Sequence, residues 1–325
     1  IPALATNPYL AIGTGLATIW FLSWINSLGI LTSGILQLIT TILKIVPIVL
    51  IGLVGLFYIQ WNNFLPFNAS GTSTIAAITA TTTFTFFAFL GIECATIPSG
   101  SVANSATTVA KATTLGTLIA TLVYILGTVS VMGMIPAAAL KNSVTPFADA
   151  AVIIWGQGAK YWVSAGVAIS AFGALNGYIL IQGQLPYAVA KDQLFPQIFM
   201  RKNDKGVPVY GIVISSIFVS VFMAMNYTKG LAEQFQFLIL LTTSTILIPY
   251  IFCTASYLLM RLRVVGITKN IFTGAIVLAA LTFLFCIWIM LGLGYETVFW
   301  GFVLTMSSVP IYVFAIWKRD QNLAK

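Results

Sequence analysis

The stretch "FFAFLGIECATIPSGS", residues 86–101, closes an apolar run that begins near Ile75. It holds one carboxylate, Glu93, directly after a Leu-Gly-Ile step. Gly91 permits backbone shapes that other residues avoid, Thr96 can bond backbone carbonyls, and Pro98 and Gly100 end the element. A helix that breaks here frees backbone groups, which is tolerable in a bilayer only beside water or substrate. A carboxylate in a membrane helix costs about 2.5–3.5 kcal/mol on insertion scales and usually faces a cavity or a partner. The bland alternative is an acid near a helix end that snorkels to water.

The rest of the chain states its solvent. Hydrophobic residues make up 59% of the 325 and charged residues 7%, against about a quarter charged in a soluble domain. The chain is therefore an integral membrane protein, and its long all-round apolar segments read as spanning helices. Nine are expected, over residues 10–28, 34–58, 76–97, 115–135, 162–181, 208–226, 236–259, 271–293 and 297–317. These runs lack the period-two alternation of a transmembrane β-barrel. The fold class is thus an all-α membrane protein, and the 325 residues read as a single transmembrane domain.

A net charge of +8 could suggest nucleic acid, but the distribution argues otherwise. With the C-terminus cytoplasmic, one set of alternate loops carries Lys111, Lys191, Arg201, Lys202, Lys205, Arg261, Arg263, Lys269, Lys318, Arg319 and Lys325; the opposite set carries Lys141, Lys160 and Lys229. That bias is the positive-inside rule. It puts the loop 182–208 in the cytoplasm, the polar connection 60–74 outside, and, with nine spans, the N-terminus outside. The chain begins "IPALATNPYL" with neither Met nor a basic leader region, so the expectation is a piece lacking its beginning. The external connection 136–158 includes Pro146, which should open a short helix lying at the surface.

Candidate functional positions are few. Lys44 is a second intramembrane charge, three residues before Pro47. A buried ammonium could stand in for a bound sodium, or merely snorkel. Tyr178 follows Gly173, Asn176 and Gly177, and a mid-span hydroxyl needs a partner or water. Packing through small residues is the competing reading. Thr242-Thr243-Ser244 could line a cavity or bond its own helix. Trp61, Trp162 and Trp300 read as interface anchors. Cys94, Cys253 and Cys286 have no metal-ligand spacing and are expected to be buried packing residues. The chain has no histidine, and no phosphate cradle or nucleophile–base pair is visible. Enzyme activity, cofactors and metals have no support.

The segments "FLGIECAT", "VMGMIPAAALKNSVTPFADAA" and "YAVAKDQLFPQIF", followed by "GVPV", resemble the amino acid–polyamine–organocation superfamily, and within it the basic amino acid/polyamine antiporters. The resemblance implies a twelve-helix LeuT-type fold of two inverted repeats, of which this chain matches helices four to twelve. It implies an amino acid antiporter working by alternating access at the cell membrane, with this chain alone inactive. Proton-coupled amino acid or polyamine uptake is the alternative within the class; a non-transporting remnant or membrane interaction subunit is the alternative outside it. The expected partners are a small-molecule amino acid or polyamine and the bilayer, with a homodimer open and no nucleic acid. By position, Phe87, Ala88, Leu90 and Gly91 fall at the substrate pocket and break of family helix six. Glu93 matches a family glutamate of the inner pathway and pH response. Tyr178 stands where a pocket tryptophan occurs, and Lys44 matches a lysine that occupies the sodium position. Thr242 and Thr243 complete the candidate substrate-binding or gating set. Phe87 and Tyr178 replace tryptophans, so no particular substrate is implied.

Overall fold

The computed structural model describes residues 7–143, 145–225, 231–263 and 269–323. Lys229 and Lys325, which entered the charge bias, lie outside the described residues, as does the start of "IPALATNPYL" up to Thr6. Helices account for every expected apolar segment. They are α1 (Pro8–Ser27), α2 (Ile30–Gly55), α3 (Thr74–Phe87), α4 (Ser105–Met134), α5 (Ala137–Asn142), α6 (Pro146–Trp155), α7 (Ala159–Lys191), α8 (Val209–Met225), α9 (Leu231–Leu262), α10 (Lys269–Gly292), α11 (Tyr295–Met306) and α12 (Val309–Leu323). Among the described residues, eight helical stretches are long and apolar enough to cross a membrane. The ninth expected span is α8, whose 17 residues give roughly 26 Å of helix against about 30 Å of hydrocarbon.

The chain divides into two compact units. The first comprises Ile1–Ala69, Gly91–Tyr227 and Ala315–Lys325; the second comprises Ser70–Leu90 and Thr228–Phe314. In the first unit, α2 packs against α4 and α7, and small residues and hydroxyls set the contacts. The Ser130 hydroxyl donates to the Gly52 carbonyl at 2.6 Å. A Cβ on Gly166 would touch the Pro47 ring at 3.2 Å, and Gly173 and Gly177 lie against Thr40 and Gln37. Small residues of this kind let membrane helices approach closely. A buried amide network joins α1, α2 and α7: Asn26 Nδ2 donates to Asn176 Oδ1 at 2.9 Å, and Asn176 Nδ2 donates to the Ser33 carbonyl and to Gln37 Oε1, both at 3.2 Å. Ser23 and Ser216 pair their hydroxyls at 2.8 Å between α1 and α8.

In the second unit, α9 packs against α3, α10 and α11. Its core is Leu247, Cys286, Ile289 and Leu293. Phe86 meets Tyr250 and Phe285 edge-on, with centroids 6.3 and 6.0 Å apart. Trp288 Nε1 donates to Thr79 Oγ1 at 3.0 Å, tying α10 to α3.

Three expectations are corrected here. The loop expected from residue 182 is helical as far as Lys191, so α7 runs 33 residues and takes in Pro186. A proline removes one donor but need not end a helix when its freed carbonyl finds company. The α6 helix opens at Pro146 as expected, yet it does not simply lie at the surface: Ala148, Ala150 and Ala151 are buried in the first unit's core. Of the cysteines only Cys286 is buried; Cys253 is exposed and Cys94 half-buried. A helix apolar all round carries no stripe that tells its packed side from its open one.

Candidate functional site

The site begins with how α3 ends. Ser73 caps it by accepting from the Ala76 N–H at 3.3 Å, and its threonines bond carbonyls one turn back. After Phe87 the spiral tightens: the N–H groups of Ala88, Phe89 and Leu90 donate to carbonyls three residues earlier at 3.0–3.1 Å. Gly91 then takes φ 100° and ψ −5°, a left-handed conformation that is costly for any residue with a Cβ. The chain continues as a 3-10 helix over Ile92–Ser101. The α-helical ladder is therefore broken inside a segment long enough to span.

Glu93 answers that break. Its Oε2 accepts the Gly91 N–H at 3.0 Å, so the carboxylate covers a donor that the interruption exposed. Thr96 Oγ1 donates to the Glu93 carbonyl at 2.7 Å. The 3-10 segment packs on α4 and α7 within the first unit. From α7, Tyr178 brings its hydroxyl against Gly91: a Cβ built there would lie 3.3 Å from Tyr178 Oη. Cys94, Glu93 and Tyr124 of α4 lie close enough to act electrostatically on Tyr178. Tyr178 is 47% exposed, so this cluster opens on one side. A carboxylate with a phenol nearby is chemistry that suits an amine or guanidinium, through charge and through the aromatic face.

The structure thus brings Gly91, Glu93 and Tyr178 together. Lys44 does not join them. It lies on the α2 stripe between Thr40, which packs on Gly173, and Pro47, which packs on Gly166. That spacing sets it roughly 10–15 Å from Tyr178 along the α7 axis. Phe87, Ala88 and Leu90 belong to the second unit. Phe87 and Leu90 are half-buried there and Ala88 is exposed. So do Thr242 and Thr243. Thr243 is buried and donates to its own helix at the Ile239 carbonyl, 2.8 Å away, while Thr242 is exposed. Ser244, the third member of that cluster, is buried against Gly301 of α11. Tyr124 escaped the sequence reading, although it sends the same signal as Tyr178, a phenol midway along a span. The Asn26–Asn176–Gln37 network was equally unforeseen, because each amide looks isolated until α1, α2 and α7 meet.

Residues 1–317 match the amino acid permease family. This chain belongs to that family. Its all-helical architecture fits the family's LeuT-type fold, and its membership makes it a multi-pass membrane protein. Several curated proteins are similar to this chain. A putrescine transporter of Haemophilus influenzae is 26% identical over 232 residues, 71% of this chain and 53% of that protein. A cadaverine/lysine antiporter of Escherichia coli K12 is 27% identical over 239 residues, 72% of this chain and 53% of that protein. An arginine/ornithine antiporter of Pseudomonas aeruginosa is 33% identical over 181 residues, 54% of this chain and 37% of that protein. At most, then, the chain spans about half the length of these curated relatives.

Proposed function

We propose that this chain is part of a transporter that exchanges amino acids, or an amino acid for its amine, by alternating access. The observation that carries this reading is the break at Gly91, capped by Glu93 and touched by Tyr178, in a chain of the amino acid permease family. Interrupted helices of this kind form midplane sites in secondary transporters. The names of the relatives support a cationic amino acid or polyamine as substrate. In this reading Phe87, Ala88, Leu90, Gly91, Tyr178, Thr242 and Thr243 bind or gate the substrate, while Glu93 and Lys44 couple exchange to protons or pH. The protein works without catalysis, in the cell membrane, with its C-terminus cytoplasmic, and a homodimer is its candidate assembly. The 325 residues act as one transporter domain equivalent to family helices four to twelve, and exchange requires the remainder of the relatives' length.

Liposomes loaded with ornithine and given external radiolabelled arginine test this. Exchange that depends on internal substrate is expected from protein extended to the relatives' length, and none from the 325 residues alone. Glu93→Gln in the extended protein keeps an acceptor for Gly91 but loses the charge, so its exchange should vary less with pH. Uptake driven by a proton gradient without internal amino acid would replace exchange by symport. For orientation, a cysteine placed at Asn68 should react with an impermeant reagent in intact cells; reaction only after permeabilisation would invert the topology.

A further inference from the structure

The connection between α7 and α8 is a built surface. Asn203 organises it: its N–H donates to the Val207 carbonyl at 2.9 Å, and its Oδ1 accepts from the Lys205 and Val207 N–H groups at 3.1 and 2.9 Å. Its Nδ2 reaches across to the Ser27 carbonyl at the end of α1, 2.8 Å away. Phe195 and Phe199 meet at a tilt of 47°, with centroids 4.7 Å apart. The Lys202 ammonium lies 4.2 Å from the ring centre of Tyr187. The connection is thus held at both ends and folded back along the last turns of α7.

Its outward groups are of two kinds. Leu194, Ile198 and Met200 are exposed apolar side chains. Lys191, Arg201, Lys202 and Lys205 are exposed cations, against exposed Asp192 and Asp204. Among the described residues none of these charges forms an ion pair. The depth of the surface follows from α7. Trp162 marks one interface, its ring 5.3 Å from that of Trp155. Tyr187 stands roughly 38 Å further along the helix, beyond the ~30 Å of hydrocarbon and at headgroup level.

We propose that this connection docks on the membrane surface and binds the phosphates of anionic phospholipids. Apolar side chains beside basic ones at headgroup depth are the composition of an interfacial segment: the former enter the acyl boundary and the latter meet the phosphates. Arg201 supplies a planar fork that matches phosphate geometry. A second copy of this chain is a poor occupant, because it would present the same excess of positive charge.

The test is native mass spectrometry of the purified protein, titrated with phosphatidylglycerol and, separately, phosphatidylcholine. Phosphatidylglycerol should be retained preferentially. A triple variant, Arg201→Gln, Lys202→Gln and Lys205→Gln, should lose roughly tenfold or more of that preference, since each cation near an anionic surface contributes about fivefold. Circular dichroism should show the variant still helical. The pair Lys141→Gln and Lys160→Gln, which alters cations on other loops, should leave the preference unchanged. Ile198→Ser with Met200→Ser should weaken retention of both lipids. Equal retention of the two lipids by the starting protein would overturn the proposal, as would an unchanged preference in the triple variant. Displacement of phosphatidylglycerol by excess inorganic phosphate, with no effect of Ile198→Ser and Met200→Ser, would also overturn it by reducing the surface to an ion site.

Discussion

Two stretches of this chain face one problem and solve it differently. Around Gly91 and around Pro186 the helical hydrogen-bond ladder is interrupted in an apolar segment, and the freed groups must be satisfied inside the protein. At Pro186 the missing N–H frees the carbonyl of Gln182, and α7 nevertheless runs on to Lys191. Gly211 of α8 packs so closely there that a Cβ would lie 3.0 Å from the Gln182 carbonyl oxygen and 3.1 Å from the Gly183 Cα. The backbone of one helix packs directly against the freed carbonyl of the other. At Gly91 the helix truly ends, and the freed N–H is met by the Glu93 carboxylate. A defect packed against backbone leaves no room for another partner. One covered by a charged side chain beside an open cluster can exchange its partner for water or a ligand. Helix breakers in the sequence therefore do not by themselves mark a functional break; the destination of the freed groups does.

The largest expected effect separates the two directly. Gly91→Ala forces a Cβ into a left-handed conformation, at about 1–2 kcal/mol, and against the Tyr178 hydroxyl. In a transporter that contains this chain, exchange should fall by roughly five- to thirtyfold, while the protein stays folded. Normal exchange by Gly91→Ala would show that the break is not used. Next comes Gly211→Ala, where the new methyl meets backbone that cannot yield. Thermal unfolding should shift by about 1–3 kcal/mol, with exchange per folded molecule unchanged. A loss of exchange at full stability would make the α7–α8 joint mobile and dissolve the contrast. The smallest effect is expected at Thr243→Val. Among the described residues that hydroxyl bonds its own helix at Ile239, so stability should move by no more than about 0.5 kcal/mol. A larger loss in a melting assay would mean that the hydroxyl has work beyond its own helix.

Much of the candidate site was legible, for one reason. A carboxylate in apolar surroundings is so costly that its partner can be sought nearby, and Gly91, two residues away, supplied it. Tyr178 was legible as a mid-span phenol, yet its meeting with Gly91 was not, since positions 91 and 178 are far apart in the chain. The threonines at 242 and 243 could not be sorted without coordinates. A hydroxyl that bonds the preceding turn and one that lines a cavity look the same in one dimension. The length of α7 misled for a related reason, because Pro186 reads as a stop until Gly211 is placed beside it.

By itself the sequence determined the solvent, the number and order of the apolar helices and the place of the break, since these depend on local quantities. Apolar runs longer than the hydrocarbon is thick must become helices, and a glycine followed by a carboxylate, a threonine and a proline cannot sustain one. Only the tertiary structure decided which residues serve that break. It set the Tyr178 hydroxyl against Gly91, placed Lys44 elsewhere on the α2–α7 seam, and joined Asn26, Asn176 and Gln37 into one network. It also decided which side of each helix is packed. In a bilayer both sides are apolar, so hydropathy cannot distinguish them, and close approach through Gly166, Gly173, Gly183 and Gly211 does.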